Sequence, residues 1–129
     1  MTGSSAKHHK HACITPYFTL DNADLFITFA TAVFDAQLVR ENRYENGTIQ
    51  HARLTIGDSL LMLNQSNENY PANTSQMHVY VDDVHQTFGA AMQAGGIPIM
   101  EPNTRPHGDL MAGFKDPCNN IWWIATTQD

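Results

Sequence analysis

An internal duplication constrains the fold of this chain more than any single motif does. Met62 and Trp123, each in an apolar run that follows a turn, are 61 residues apart. Two further pairs of segments match at the same offset without gaps, 18–22 with 79–83 and 36–39 with 97–100. One register that recurs along most of both halves indicates two copies of a single supersecondary unit.

A turn followed by a strand closes each half. In the second half, the sequence DPCNN at 116–120 combines a proline, which fixes φ, with asparagines that tolerate the left-handed conformation. The aromatic and β-branched run IWWIA at 121–125 suits a half-buried strand. In the first half, Gly57-Asp58 is the turn signal and an apolar strand follows it.

Each half is predicted to have the order β, α, β, β, β. Helices are predicted to begin after Asp21-Asn22 and after Asp82-Asp83, and the second is predicted to stop at Gly95-Gly96. Hydrophobic periodicity predicts strands at 14–20, 37–44, 48–56, 60–64, 76–81, 97–100, 110–115 and 121–126, with a loop at 101–109.

These elements predict one α+β domain made of two tandem βαβββ modules. The first module covers residues 12–64 and the second covers 76–127, and a linker rich in Asn, Ser and Pro occupies 65–75. Residues 1–11 are polar and unpatterned and include three histidines, so we expect a disordered leader or tag there. Metal affinity of this histidine tract is the alternative.

The composition is that of an ordinary globular protein. Of the 129 residues, 42% are hydrophobic and 16% are charged, and no apolar run approaches the roughly 18 residues of a spanning helix. The net charge of −6 argues against a general nucleic-acid binder. Because only two cysteines occur, Cys13 and Cys118, we expect free thiols and a cytoplasmic location without membrane contact.

Strand alternation places one apolar face of each half against its helix and leaves a mixed aromatic and polar face on the other side. By this parity Trp122 packs on the helix, while Trp123 lies on the mixed face. We expect the duplication to bring the two mixed faces together as the walls of a cleft. The candidate ligand-binding residues are Thr15, Tyr17, His51, Arg53, Met62, Gln76, His78, Tyr80 and Trp123.

Four segments, ITPYF, HARLTIGDSLLML, YVDDV and KDPCNNIWWIAT, occur in this order around the duplication. With it, they closely resemble the vicinal oxygen chelate superfamily of glyoxalase I, bleomycin-resistance proteins and extradiol dioxygenases. Within that superfamily the segments look like the PhnB-like branch, often labelled 3-demethylubiquinone methyltransferase-like. The resemblance implies an eight-stranded, cleft-forming pair of modules that assembles as a homodimer.

The resemblance also implies where a metal would be held. Metal-using members place His or Glu on the first and last strand of each half, which correspond here to Thr15, Met62, Gln76 and Trp123. A hydroxyl, a thioether, an amide and an indole cannot replace imidazole and carboxylate around a divalent ion. We therefore expect no metal and no other cofactor.

Several candidate residues have two interpretations. His78 is either a polar residue lining the pocket or a general base or displaced metal ligand, and it is the one weak catalytic candidate. Arg53 either fixes an anionic group of a ligand or forms a salt bridge. Trp123 is either a stacking platform or a core residue that fills the space of the lost metal. Cys118, on a turn, carries little weight as a nucleophile.

The function favoured by these features is binding of a small organic molecule, planar or cationic, in a cleft shaped by dimerisation. One alternative is a metal-dependent lyase or dioxygenase with a displaced site near His51 and His78, or metal-free acid–base chemistry by His78. Another is a structural or interaction dimer without a ligand. Whether the chain is an enzyme therefore stays open at this point.

Overall fold

The structure is a computed structural model that describes residues 12–126, so the predicted leader lies outside the described residues. Each half has the order β, α, β, β, β, as the duplication predicts. The elements are β1 (Tyr17–Leu20), α1 (Ala23–Phe34), β2 (Gln37–Arg43), β3 (Ile49–Ile56), β4 (Ser59–Gln65), β5 (Gln76–Tyr80), α2 (Val84–Gln93), β6 (Ile97–Thr104), β7 (Leu110–Lys115) and β8 (Ile121–Thr126).

Both helices begin at the residues that the sequence predicts. The side chain of Asn22 accepts a hydrogen bond from the N–H of Leu25, and Asp83 does the same for Gln86. These side chains satisfy backbone donors that have no partner within the helix. The second helix ends just before Gly95, whose φ is +96°. In residues 12–126, no helix is long and apolar enough to cross a membrane.

The eight strands form two four-stranded sheets of the same topology. Sheet 1 has the order β1-β4-β3-β2, and sheet 2 has the order β5-β8-β7-β6. In each sheet the first and last strands of the module run parallel, and the other neighbours run antiparallel. Tyr17 lies opposite Met62 in sheet 1, and His78 lies opposite Trp123 in sheet 2. The 61-residue offset therefore holds in the strand register.

One hydrophobic core joins the two modules. Phe18 of β1 stacks on Trp122 of β8 with 6.1 Å between ring centroids, and Phe29 and Phe34 of α1 both contact Phe114 of β7. The helix-covered faces of the two sheets, here called the inner faces, are thus turned toward each other. The opposite, outer faces point away from each other on the two sides of the molecule.

The turn before β8 is tied together by a fully buried carboxylate. Asp116 accepts hydrogen bonds from the backbone N–H groups of Cys118 and Asn120, from the Asn120 side chain and from Trp122 Nε1. Asn120 in turn accepts from the N–H of Ser75, just before β5. The predicted turn therefore also fixes where the second module begins.

The strand β6 is longer than the sequence indicates. It continues to Thr104, so residues 101–104 of the predicted loop at 101–109 are strand, and the turn at 105–109, which includes Gly108, remains. Pro98 and Pro102 weaken the strand signal of the sequence, because a proline cannot donate a hydrogen bond to a neighbouring strand. Since β6 is an edge strand, its prolines are tolerated there, and its pairing with β7 is irregular on both sides of Met100.

Candidate functional site

The outer face of sheet 1 presents a row of four side chains across all four strands. Tyr17 lies opposite Met62, Met62 opposite Arg53, and Arg53 opposite Arg40. Directly opposed residues share a face of the sheet, so these four side chains are neighbours on one surface. A phenol, a thioether and two guanidinium groups therefore follow one another from β1 to β2.

A hydrogen-bond network holds the centre of this row. Arg53 Nε donates to His51 Nε2 over 3.3 Å, and His51 Nδ1 lies 3.2 Å from the hydroxyl of Tyr17. Because a guanidinium can only donate, we assign the imidazole proton to Nδ1, from which it is donated to Tyr17. Burial, and next the charges of Arg53 and Arg40, lower the pKa of His51. His51 is thus held as a neutral acceptor.

A cavity of about 480 Å³ lies in front of β1, β3 and β4. Its walls include Tyr17, Thr19, His51 and Asn64, and Tyr70 of the linker closes one side. The Oδ1 atom of Asn64 is buried and has no hydrogen-bond partner within the described residues. Buried polar atoms are normally satisfied, so this oxygen is an acceptor still open to a ligand or to water.

The outer face of sheet 2 is organised by Trp123. The six-membered ring of this half-buried indole lies directly over Gly113 on the neighbouring strand. Its Nε1 donates to Gln76 Oε1 over 2.7 Å. His78 and Tyr80 follow on the same face, with their rings edge to face at 4.9 Å. The second outer face is therefore mainly aromatic.

The structure divides the predicted ligand-binding residues into two sets. Tyr17, His51, Arg53 and Met62 lie on the outer face of sheet 1, with Thr15 just before β1, and Gln76, His78, Tyr80 and Trp123 lie on that of sheet 2. The expectation that the duplication brings both faces together is wrong within one chain. The reason is the packing of Phe18 on Trp122, which turns the inner faces toward each other.

The same arrangement argues against the alternative of a displaced metal site near His51 and His78. These residues lie on the outer faces of different sheets, and both nitrogens of His51 are engaged by Tyr17 and Arg53. Among residues 12–126, no group of three or more His, Cys, Asp or Glu side chains is placed to hold a metal ion. One chain by itself does not assemble that site.

The four positions to which the resemblance of the sequence assigns metal ligands carry unsuitable donors here. They are Thr15, Met62, Gln76 and Trp123, and the Gln76 side-chain oxygen already accepts from the Trp123 indole. Indole donates only, and a thioether is a poor ligand for the divalent ions that imidazole and carboxylate bind. This donor set does not fit a divalent metal.

Sequence reasoning missed Arg40, because its position depends on a β-bulge. Gln37 lies opposite Thr55 on the outer face, so simple alternation would put Arg40 on the inner face. The pairing skips Val39, and Arg40 thereby moves opposite Arg53. The sequence of β2 alone does not reveal such a shift, because the bulge is a feature of its pairing with β3.

Two other reactive side chains stand apart from both faces. Cys118 is buried with its Sγ 3.4 Å from the carbonyl oxygen of Asn22, and burial, helped by Asp116, raises its pKa to about 12. A thiol with that pKa is not an activated nucleophile. His107 is exposed in the β6–β7 turn beside Asp109, which agrees with a surface role.

A second, larger groove of about 760 Å³ runs between the modules. It is bounded by the end of α1, the β3–β4 hairpin, β5 and the start of α2. Its walls include His78 and Tyr80, and four aspartates, Asp35, Asp58, Asp82 and Asp83, give it an acidic character. This groove differs in charge from the cavity on sheet 1.

Solved structures share this architecture. TioX from Micromonospora sp. ML1 is 21% identical with a TM-score of 0.74, and the match covers 92% of this chain and 98% of TioX. A PhnB protein from Bacillus cereus is 19% identical with a TM-score of 0.67, covering 90% and 100%. The fosfomycin resistance protein FosX from Mesorhizobium loti is 16% identical with a TM-score of 0.66, covering 93% and 95%. These likenesses concern the fold.

Comparison with curated protein sequences finds no significant match. The sequence model of the Glyoxalase/Bleomycin resistance protein/Dioxygenase superfamily matches residues 14–124, nearly the whole described chain. The tandem βαβββ modules and the two sheets agree with that match. The chain is therefore a member of the glyoxalase/bleomycin resistance protein/dioxygenase superfamily.

Proposed function

We propose that this chain is a small-molecule-binding protein that works as a homodimer. The ligand lies between the outer face of sheet 1 in one protomer and the outer face of sheet 2 in its partner. The observation that carries the proposal is the placement of both helices between the sheets, which leaves each outer face without a helix of its own chain to cover it. Each chain then supplies half of two clefts.

The character of the two outer faces supports a shared cleft. Sheet 2 leaves the large indole of Trp123 half-buried, and sheet 1 has a cavity with an unsatisfied oxygen on Asn64. A sheet face with aromatic and apolar side chains gains free energy when a second layer covers it. A twofold dimer covers both faces at once, because each patch of one protomer meets its complement on the other.

Binding is better supported than chemistry. The donors at the metal positions do not fit a divalent ion, and Cys118 is buried with a raised pKa. Within residues 12–126, His78 has no hydrogen-bonded partner that would orient it as a general base; its ring packs against Tyr80. Fosfomycin and bleomycin resistance, named for one structural neighbour and for the family, are functions directed at small molecules.

We further assign the chain to the PhnB-like branch of the superfamily. The support is the motif set of the sequence together with the likeness to the Bacillus cereus PhnB protein, whose full length the match covers. This assignment concerns ancestry only, and we do not propose methyltransferase activity for this chain on the basis of the branch name.

Sedimentation tests the assembly. We expect a dimer of twice the 14.4 kDa chain at tens of micromolar, a concentration range in which micromolar affinities saturate. A monomer throughout that range would contradict both the dimer and the shared cleft.

Mixing two defective variants tests whether each cleft uses both chains. Trp123→Ala impairs the sheet 2 wall and Tyr17→Ala impairs the sheet 1 wall, so either homodimer should bind planar ligands weakly. After unfolding and refolding together, heterodimers have one intact cleft, and about a quarter of all clefts should recover binding by statistical pairing. Suitable ligands are 2-naphthamide and 2-naphthoate, and their binding is measured by calorimetry. Recovery of no sites would show that a cleft does not combine these two walls.

A further inference from the structure

Two arginines face each other on the outer face of sheet 1 without a counter-charge. Arg40 lies directly opposite Arg53, and neither forms a salt bridge with any carboxylate in residues 12–126. Like charges directly opposite each other on a sheet are destabilising. The β-bulge at Val39 creates this contact rather than relieving it.

The rest of sheet 1 offers these arginines no acidic neighbour. Its four strands contain a single carboxylate, that of Glu41, in a protein whose net charge is −6. Glu41 lies opposite Ala52, a buried residue of the inner-face set, and its carboxylate is 3.1 Å from Arg43. The outer face of sheet 1 is therefore a local cationic surface on an acidic protein.

The guanidinium group of Arg53 is also oriented before any ligand binds. Its Nε–H is held by His51, which leaves the two terminal nitrogens of the guanidinium without a protein partner in the described chain. Fixing a flexible side chain before binding lowers the entropy cost of association. A planar guanidinium with its terminal donors free suits a carboxylate or a phosphate, which it can bind through two hydrogen bonds.

We propose that Arg53 and Arg40 bind the anionic group, carboxylate or phosphate, of a ligand whose planar apolar body lies on Trp123 of the partner protomer. The position of the body rests on the proposed function, whereas the anion site lies on one chain. The tyrosine hydroxyl of Tyr17 and the open oxygen of Asn64 line the same surface and accept hydrogen bonds from polar groups of that ligand. The ligand class is thus anionic, in contrast to the cationic one favoured by net charge alone.

Four naphthalene compounds of the same shape test this site by calorimetry on the full-length dimer. They are 2-naphthoate, 2-naphthyl phosphate, neutral 2-naphthamide and cationic 2-naphthylmethylammonium. We expect at least one anion to bind about 10-fold or more tightly than the amide, because hydrogen bonds to charged groups are the stronger kind. The ratio of the affinities for 2-naphthoate and 2-naphthyl phosphate shows which anion the two arginines prefer.

Arginine variants locate the effect. Arg53→Gln and Arg40→Gln should remove the preference for the anion, with a much larger loss of affinity for the anion than for 2-naphthamide, since the apolar contacts remain. Arg43→Gln is the matched control, because this arginine is on the same strand but is paired with Asp24 and Glu41. It should keep the wild-type preference.

The outcomes separate this inference from the proposed function. Equal binding of anion and amide by the wild type, tightest binding of the ammonium compound, or an anion preference that survives in the Arg40/Arg53 double variant would each overturn the anion site while leaving a small-molecule cleft. If none of the four compounds binds, the proposed function is overturned and the anion site with it.

Discussion

The six-membered ring of Trp123 occupies the space above Gly113, where any other residue would place its Cβ. The two residues are directly opposite each other on β8 and β7. The absence of a side chain at position 113 lets the indole lie close to the sheet, while Gln76 holds its Nε1. Gly113 therefore positions the main aromatic surface of sheet 2.

Gly113→Ala is expected to displace the Trp123 ring, because the added methyl overlaps it. We expect the hydrogen bond to Gln76 to be lost, ligand-induced quenching of indole fluorescence to fall, and stability to drop by about 1–3 kcal/mol, the scale of overpacking. Gly89→Ala is the control, since a Cβ there meets nothing within 4 Å. An unchanged fluorescence response in Gly113→Ala would contradict this role.

The two adjacent tryptophans should respond differently to truncation. Trp122 is 1% exposed and packs on Phe18 and Phe34, so Trp122→Ala should cost about 3–5 kcal/mol of unfolding free energy. Trp123→Ala, on the half-buried outer face, should cost clearly less and should mainly weaken ligand binding. Urea denaturation of both variants checks this, and equal losses would show that Trp123 is a core residue.

Asp116→Asn should destabilise the second module strongly. The carboxylate accepts from two backbone N–H groups and from the side chains of Asn120 and Trp122, whereas an amide replaces one acceptor oxygen with a donor. We expect a loss on the order of 3 kcal/mol from unsatisfied buried donors. Asp109→Asn, on the surface turn beside His107, should change stability by less than about 0.5 kcal/mol.

His51 should titrate at a lower pH than an exposed histidine, since burial and then Arg53 and Arg40 lower its pKa from the usual 6.5. At a pH between the folded pKa of His51 and the unfolded pKa of 6.5, the unfolded chain binds more protons than the folded chain does. The stability that neutral His51 contributes is therefore lost as the pH falls through 6.5 toward the folded pKa. NMR titration of the folded and the urea-unfolded protein checks the pKa of His51. An anion bound at Arg53 should raise the His51 pKa. A His51 pKa at or above 6.5 in the free protein would contradict the assignment.

The two cysteines should differ in reactivity toward a thiol reagent. Cys13 is exposed, whereas Cys118 is buried and its pKa is raised to about 12. We expect one thiol per chain to react in the native protein and the second only on unfolding, because the thiolate is the reactive form. Cys13→Ser provides the control in which no fast reaction remains. Fast reaction in that variant would show that the turn holding Cys118 opens readily.

Local sequence signals were sufficient for most of the fold. The offset between Met62 and Trp123 predicts both modules, and it reappears in the strand register of the structure. The caps Asn22 and Asp83 mark the helix starts, because a side-chain acceptor at that place satisfies the first backbone donors. Alternation also assigns Trp122 inward and Trp123 outward correctly, since neighbouring side chains on a strand point to opposite faces.

The arrangement of the site was decided only by tertiary structure. Periodicity says that a face is apolar, but contacts between distant residues, such as Phe18 with Trp122, decide which surface covers it. That packing separates the predicted cleft residues onto two outer faces. The alignment of Arg40 with Arg53 likewise depends on a bulge in the pairing of β2 with β3, which strand alternation alone does not contain.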